Sequence, residues 1–341
     1  MDGHESGGSI PFVPSSIHAS TLIAGDSYAH YSPCPPAITP STSLTSSNGS
    51  NEPTPCVLGV DEAGRGPVLG PMVYSAFYLP LPLHHSLLAE EYHFDDSKVL
   101  TPAVRSSLMR QLSTPDNSLS SSCGWGVKVM SARDIAAGML RPGTRNYNLN
   151  AQAMDATTEL IRCIVQERGI NVKEVYIDTI GNPEAYQRKL EQIFPSLKIT
   201  VAKKADSLYP SVSAASVCAK VTRDVALEIC YRSMMEHCNA MEPESSGEGW
   251  GSGYPSDSKC VGWLKNDMDK LFGWGHECRF SWGTARELLE SKTSIKVDWP
   301  VEEDDETQRL TDFFSFSVTG TNNEENDELR DWYGQKPQEI F

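Results

Sequence analysis

The sequence predicts an α/β fold, a mixed five-stranded sheet with flanking helices, and three observations carry that prediction. Two apolar runs, CVLGVD from Cys56 and VLGPMVYSAFYL from Val68, are joined by the tight turn AGRGP, which fits strands returning side by side. Later strand-like runs at 124–130, 174–179 and 197–204 are separated by segments of helical period, which fits crossover connections. With 341 residues, 39% hydrophobic content and seven Trp, the chain can bury a sizeable core.

Residues 1–55 hold eight of the 22 prolines, many Ser and Thr, no Lys or Arg and no periodic apolar pattern, so a disordered tail is expected there. Order is expected to begin at Cys56. A helix is predicted over about 146–167, where Leu149, Ala153, Ala156, Leu160, Ile161 and Ile164 repeat at helical spacing and Gly169 supplies the stop. The strand EVYIDT, a short helix near 184–193 and the strand LKITVAKK follow. From Ser211, an N-cap candidate behind Pro210, a long helix is predicted to Cys238. Its small residues Ser213, Ala214, Ala215 and Cys218 suit close packing on the sheet.

After the loop EPESSGEGWGSGYP, two shorter helices are predicted around 257–271 and 282–292. The expected organisation is therefore a tail over 1–55, an α/β domain over 56–240, a helical extension over 241–296 carrying GSGYP, and an acidic, mostly disordered tail over 297–341. No internal repeat of solenoid or propeller period is present.

The formal net charge of −16 is unevenly spread: −4 over 1–55, −3 over 56–299 and −9 over 300–341. Setting aside Asp61, Glu62, Asp178 and Asp206 leaves the centre at +1, which is compatible with a locally basic groove. Nine cysteines without a C-x-x-C pair or zinc-type Cys/His spacing read as reduced, buried thiols. No signal-peptide pattern and no run near the ~20 apolar residues of a membrane span is seen, so an intracellular, soluble protein without a membrane partner is expected.

Asp61 and Glu62, Asp178, and Asp206 sit at the ends of predicted buried segments. Ionised carboxylates at apolar strand ends are costly unless cations or hydrogen bonds compensate them, and several together raise one another's pKa. A divalent metal is one compensation, and hard oxygen donors without soft sulfur or imidazole select Mg²⁺ or Mn²⁺. Adjacent strand residues point to opposite faces, so Asp61 and Glu62 can share one site only if the backbone turns there. Gly64 and Gly66 permit a turn and a close backbone approach to an anion or sugar, with the planar fork of Arg65 between them. The competing reading is an ordinary strand-to-turn junction with solvated acids. No G-x-G-x-x-G dinucleotide fingerprint is present.

The motifs DEAGRGPVLGPMVYSA, DSK at Asp96–Lys98, YIDT at Tyr176–Thr179, KADSLYPSVSAASVCAKVTRD at Lys204–Asp224 and GSGYPSD at Gly251–Asp257 resemble, in order, those of the type 2 ribonucleases H (the ribonuclease HII family), and specifically the eukaryotic catalytic A subunits. The resemblance spans about residues 56–292. It implies a ribonuclease H-like fold and a catalytic, metal-binding site of Asp61, Glu62, Asp178 and Asp206 taking one or two Mg²⁺ or Mn²⁺ ions, with Asp61 and Asp178 shared between them. It further implies endonucleolytic cleavage of RNA/DNA hybrids and on the 5′ side of single ribonucleotides in duplex DNA.

For substrate contacts, the resemblance points to Gly64, Arg65 and Gly66 at the ribose 2′-hydroxyl and to Tyr254 packing on the next sugar. Lys98, Lys220 and Arg223 are expected at phosphates, although the last two also fit a helix face paired with Asp224 or Glu228. It implies two accessory subunits in a heterotrimer and a nuclear location, with some cytoplasmic presence. Thr307-x-x-Leu310-x-x-Phe313-Phe314 resembles a sliding-clamp peptide with Thr307 in place of the usual Gln, and fits subunit docking or an inert tail as well. A catalytically silent hybrid-binding scaffold and another polynucleotidyl transferase of the same fold are the competing functions.

Overall fold

The computed structural model describes residues 12–38, 53–94, 100–141, 147–179, 181–237 and 249–291. They belong to one compact unit that ends at Ile295; a second unit, Lys296–Phe341, lies outside the described residues, as does the 307–314 segment within it.

Among the described residues, six strands form the sheet: β1 (Tyr28–Tyr31), β2 (Cys56–Ala63), β3 (Met72–Pro80), β4 (Gly124–Met130), β5 (Val172–Asp178) and β6 (Lys198–Ala202). Their order is β1-β4-β3-β2-β5-β6. The first three neighbours pair antiparallel, and β2–β5 and β5–β6 pair parallel, which makes the sheet mixed as predicted. The helices are α1 (Ala19–Ile23), α2 (Leu83–His85), α3 (Pro102–Ser113), α4 (Ser118–Ser122), α5 (Ala132–Met139), α6 (Leu149–Arg162), α7 (Pro183–Ile193), α8 (Pro210–His237), α9 (Ser258–Asn266) and α10 (Gly283–Leu289).

Both faces of β2 and β3 are covered, so these strands read as continuous apolar runs rather than alternating ones. On one face Val57, Phe77 and Val127 pack with Ala214, Ala215 and Cys218 of α8. On the other, Leu58, Val60 and Ile177 meet Ala156, Leu160 and Ile161 of α6. The small residues of α8 let it come so near that a Cβ on Gly59 would stand 2.2 Å from the Ser211 backbone carbon. Gly59→Ala is therefore expected to destabilise the protein by about 3 kcal/mol, seen as a lower urea midpoint at unchanged m-value. A loss under about 0.5 kcal/mol would show that α8 can move off the strand.

The start of α8 differs from the expectation. Ser211 lies inside the first turn and donates its backbone N–H to Nε2 of His84 at 3.2 Å. Burial pushes the His84 pKa down to about 4, which keeps the imidazole neutral and able to accept that bond.

The tail expected over 1–55 is also corrected: residues 12–38 are ordered and supply α1 and a sixth strand. β1 closes the edge of β4, pairing Tyr28 with Val129 and Tyr31 with Gly126. Tyr28 is buried and its hydroxyl donates to the Ser16 carbonyl, while Ser16 Oγ meets Thr222 Oγ1 at 2.8 Å. What orders this segment is contact with residues about one hundred and two hundred positions away, and a four-residue edge strand is too short to show a period.

The helical extension lies in the same compact unit. Trp250, Cys260, Trp263, Trp274 and Cys278 form one apolar cluster with Val68 and Leu69 of the loop after β2 and with Leu227 of α8. The helices predicted around 257–271 and 282–292 are α9 and α10, with Asp257 capping the first through the Lys259 N–H.

Candidate active site

β2 stays extended through Ala63, so the turn comes after the acidic pair and not within it. Asp61 consequently faces α8, where it accepts from the Ser216 hydroxyl and, at 2.7 Å, from the Glu62 N–H. Glu62 faces the other layer, in a cleft of about 420 Å³ shared with Arg65, Tyr74, Asn150, Asp178 and Lys189. Asp178 is the last residue of β5, one step beyond the Val60–Ile177 pair, and its Oδ1 accepts the Ala205 N–H at 2.8 Å. Asp206 follows in the short turn Ala205–Ser207, entered through Lys204 at φ 57°, and is buried.

Burial holds the Asp61 carboxyl well above the usual carboxylate range, and Glu62 and Asp178 reinforce this. Burial pushes Glu62 up to about 7, with Arg65 opposing and Asp178 adding to the rise. Among the described residues, no three His, Cys, Asp or Glu side chains form a ready-made metal cage. Asp61, Glu62 and Asp178 are in electrostatic contact, and Asp206 lies in the turn whose Ala205 N–H Asp178 holds. Mutually repelling hard-oxygen donors, buried or partly so, fit a hard divalent cation in chemistry.

The Gly-rich turn owes its shape to residues the sequence did not single out. Arg279 is fully buried and donates from Nη2 to the Gly64 carbonyl at 2.7 Å, from Nη1 to that of Arg65 at 3.1 Å and from Nε to that of Gly70 at 3.1 Å. Trp282 Nε1 donates to the Gly66 carbonyl at 3.0 Å, and its ring lies 4.8 Å from the Arg279 guanidinium. Because a peptide is planar and trans, carbonyls drawn toward Arg279 direct the N–H groups of Arg65 and Gly66 the opposite way. Gly64 at φ 79° makes the bend, in a region where other residues are strained. Burial pushes Arg279 down to about 9, and nearby Arg223 adds to that. Only a stretch reading RFSWG marks these residues in the sequence, and nothing in it foretells a buried guanidinium.

Tyr254 lies over the same turn, since a Cβ on Gly66 would stand 3.0 Å from its ring, and the residue is 39% exposed. Arg223, expected at a phosphate or paired along the helix with Asp224 or Glu228, is buried, and its Nη1 donates to Asp224 Oδ1 at 3.3 Å. Its Nη2 donates to the Ser252 carbonyl at 2.6 Å and its guanidinium sits 5.8 Å from the Tyr254 ring centre. Its place is to hold the GSGYP loop. The sequence could not separate these roles, because an Arg on a helix face reads alike whether solvent or a folded loop covers it. Lys220 is half-buried one helical turn after Ser216. Lys98 lies outside the described residues.

An α/β sheet that carries Asp61, Glu62 and Asp178 at the ends of β2 and β5, the first buried and the other two partly so, beside a backbone turn presenting N–H groups, defines a metal-dependent phosphodiesterase of the ribonuclease H-like class. Residues 58–285 match the sequence profile of ribonuclease HII. The A subunit of ribonuclease H2 from Neurospora crassa is 56% identical over 327 residues, covering 95% of both chains. Among solved structures, the ribonuclease H2 of Pyrococcus horikoshii has a TM-score of 0.51 at 26% identity, covering 69% of this chain and 97% of its own. The ribonuclease HII of Archaeoglobus fulgidus, solved in complex with PCNA, has a TM-score of 0.53 at 25% identity with the same coverage. The chain belongs to the ribonuclease HII family and is an endoribonuclease of the ribonuclease H type.

Proposed function

We propose that the protein hydrolyses the RNA strand of RNA/DNA hybrids and cuts on the 5′ side of single ribonucleotides in duplex DNA. Water attacks phosphorus, the bond from phosphorus to the 3′ oxygen breaks, and the products carry a 5′-phosphate on the ribonucleotide and a 3′-hydroxyl on the upstream strand. The observation that carries this reading is the pinned Gly64–Gly66 turn beside the acids, with Tyr254 over it. Its outward N–H groups suit a ribose 2′-hydroxyl and the adjoining phosphate, the two features that mark one ribonucleotide within DNA.

Asp61, Glu62 and Asp178, completed by Asp206, would hold Mg²⁺ or Mn²⁺. When bound, the cation supplies Lewis-acid polarisation of the phosphate and neutralises charge on the oxygens that gain it. Asp178 bridges the two faces on which Asp61 and Glu62 stand, and its bond to Ala205 keeps the loop carrying Asp206 in register. Tyr254 stacks on the neighbouring deoxyribose, where an extra hydroxyl would intrude. Lys98 and Lys220 reach flanking phosphates.

The same reading places the protein in ribonucleotide removal from DNA and in primer processing on the lagging strand, in the nucleus. Similarity to a relative whose name marks it as one component of a larger enzyme supports two accessory subunits. The Archaeoglobus complex supports a clamp contact, for which Thr307, Leu310, Phe313 and Phe314 are the candidate residues beside a role in subunit docking.

The test is cleavage of a duplex with one embedded ribonucleotide, beside a long hybrid and an all-DNA duplex. Tyr254→Ala is expected to lower kcat/KM on the single-ribonucleotide duplex about tenfold more than on the long hybrid. Equal losses would refute the stacking role, and cutting of the all-DNA duplex at a similar rate would refute the substrate class.

A further inference from the structure

The Arg65 side chain does not extend away from the turn as a free phosphate fork. Its Nη2 donates to Oδ1 of Asn150 at 2.5 Å, a partner 85 positions away, and it also reaches the hydroxyl of Tyr74, buried in the middle of β3. Both partners line the wall of the cleft that holds Glu62, and among the described residues the guanidinium is the charge that acts on Glu62 with opposite sign. Asn150 is well placed for this. It is the second residue of α6, and Asn148 accepts its backbone N–H at 3.0 Å, which fixes the backbone and leaves the side-chain carbonyl for Arg65.

We propose that Asn150 is a positioning residue that parks the Arg65 guanidinium beside Glu62 as a resident counter-cation, so that divalent-cation binding at Glu62 and release of Arg65 toward a substrate phosphate are coupled. The proposal rests on Asp61, Glu62 and Asp178 being the cation site. A buried carboxylate without a partner is costly, so in the metal-free protein a guanidinium at this place stabilises the cleft. Guanidinium and cation then compete for the same negative charge. Asn suits the holding role because its carbonyl orients the guanidinium without neutralising it, whereas a carboxylate there would be a second, rival counter-ion. The coupling makes Arg65 available to phosphate when the cleft is charged for reaction.

The experiment is Mn²⁺ binding to the full chain without substrate, by calorimetry and by loss of the free-ion paramagnetic signal, in wild type, Asn150→Ala, Arg65→Ala, the double variant and Asp178→Asn. Asn150→Ala is expected to bind Mn²⁺ about twofold to fivefold more tightly, the range of one partly exposed charge contact. Arg65→Ala is expected to gain at least as much, and the double variant no more than Arg65→Ala alone. In duplex binding, the salt slope is expected to fall by about one in Arg65→Ala and to stay unchanged in Asn150→Ala. Unchanged or weaker Mn²⁺ binding in Asn150→Ala with a native circular dichroism spectrum, or additive gains in the double variant, would overturn the coupling alone. Wild-type Mn²⁺ affinity in Asp178→Asn would overturn the cation site and the coupling with it.

Discussion

Asp178→Asn is expected to lower cleavage by about a thousandfold or more while hybrid binding stays within an order of magnitude. The substitution keeps the shape and the Oδ1 acceptor of the Ala205 N–H, so the loop leading to Asp206 should hold its place. What it removes is one negative charge between Asp61 and Glu62, the charge that helps push both upward. A carboxylate whose pKa is raised by folding opposes stability as pH rises through its folded value, so this cluster is a stability cost at neutral pH without a cation. The same variant is therefore expected to melt a few degrees higher than wild type in metal-free buffer. Loss of activity with raised or equal melting temperature separates a chemical role from a structural one. Retained turnover in Asp178→Asn would refute the site, and a silent hybrid-binding scaffold would be refuted by metal-dependent turnover in wild type.

Arg279→Gln is expected to cost about 3 kcal/mol of stability and about a hundredfold in activity. Arg279 touches no reacting atom. It gathers the carbonyls of Gly64, Arg65 and Gly70, and without it those carbonyls lose their donors inside the protein while the N–H face of the turn is no longer held. Denaturant unfolding measures the first effect and single-turnover cleavage the second. A milder change separates them: Trp282→Phe keeps a ring against the guanidinium and removes only the donor to the Gly66 carbonyl. It is expected to cost about 1 kcal/mol, and to impair the single-ribonucleotide duplex more than the long hybrid. Equal impairment of both substrates would show that the turn does not sense the ribose.

The apolar runs of β2 to β6 and the helical period of α6 were legible because burial on two faces, or on one stripe, writes itself into local spacing. The small residues of α8 announced its close approach to the sheet in the same way, as Gly59 bears out. Strand β1 was not legible: Tyr28–Tyr31 has no period of its own and is held by its pairing with β4, about a hundred positions away, while Ser16 before it meets Thr222 206 positions on. The pairing of Arg223 with Asp224 was legible from their positions on the helix, whereas its bond to the Ser252 carbonyl was not, because a helix face looks alike under solvent and under a loop.

By itself the sequence determined which acids lie at the strand ends and that a glycine turn follows them, since both are properties of neighbouring residues. Only the tertiary structure decided that Asp61 and Glu62 stand on opposite faces with Asp178 between them, and that Arg279 and Trp282 grip the turn from more than two hundred residues away. The reason is that a strand's pleat, a buried guanidinium's donors and a loop's covering surface depend on what the fold brings alongside, and no local pattern encodes that partner.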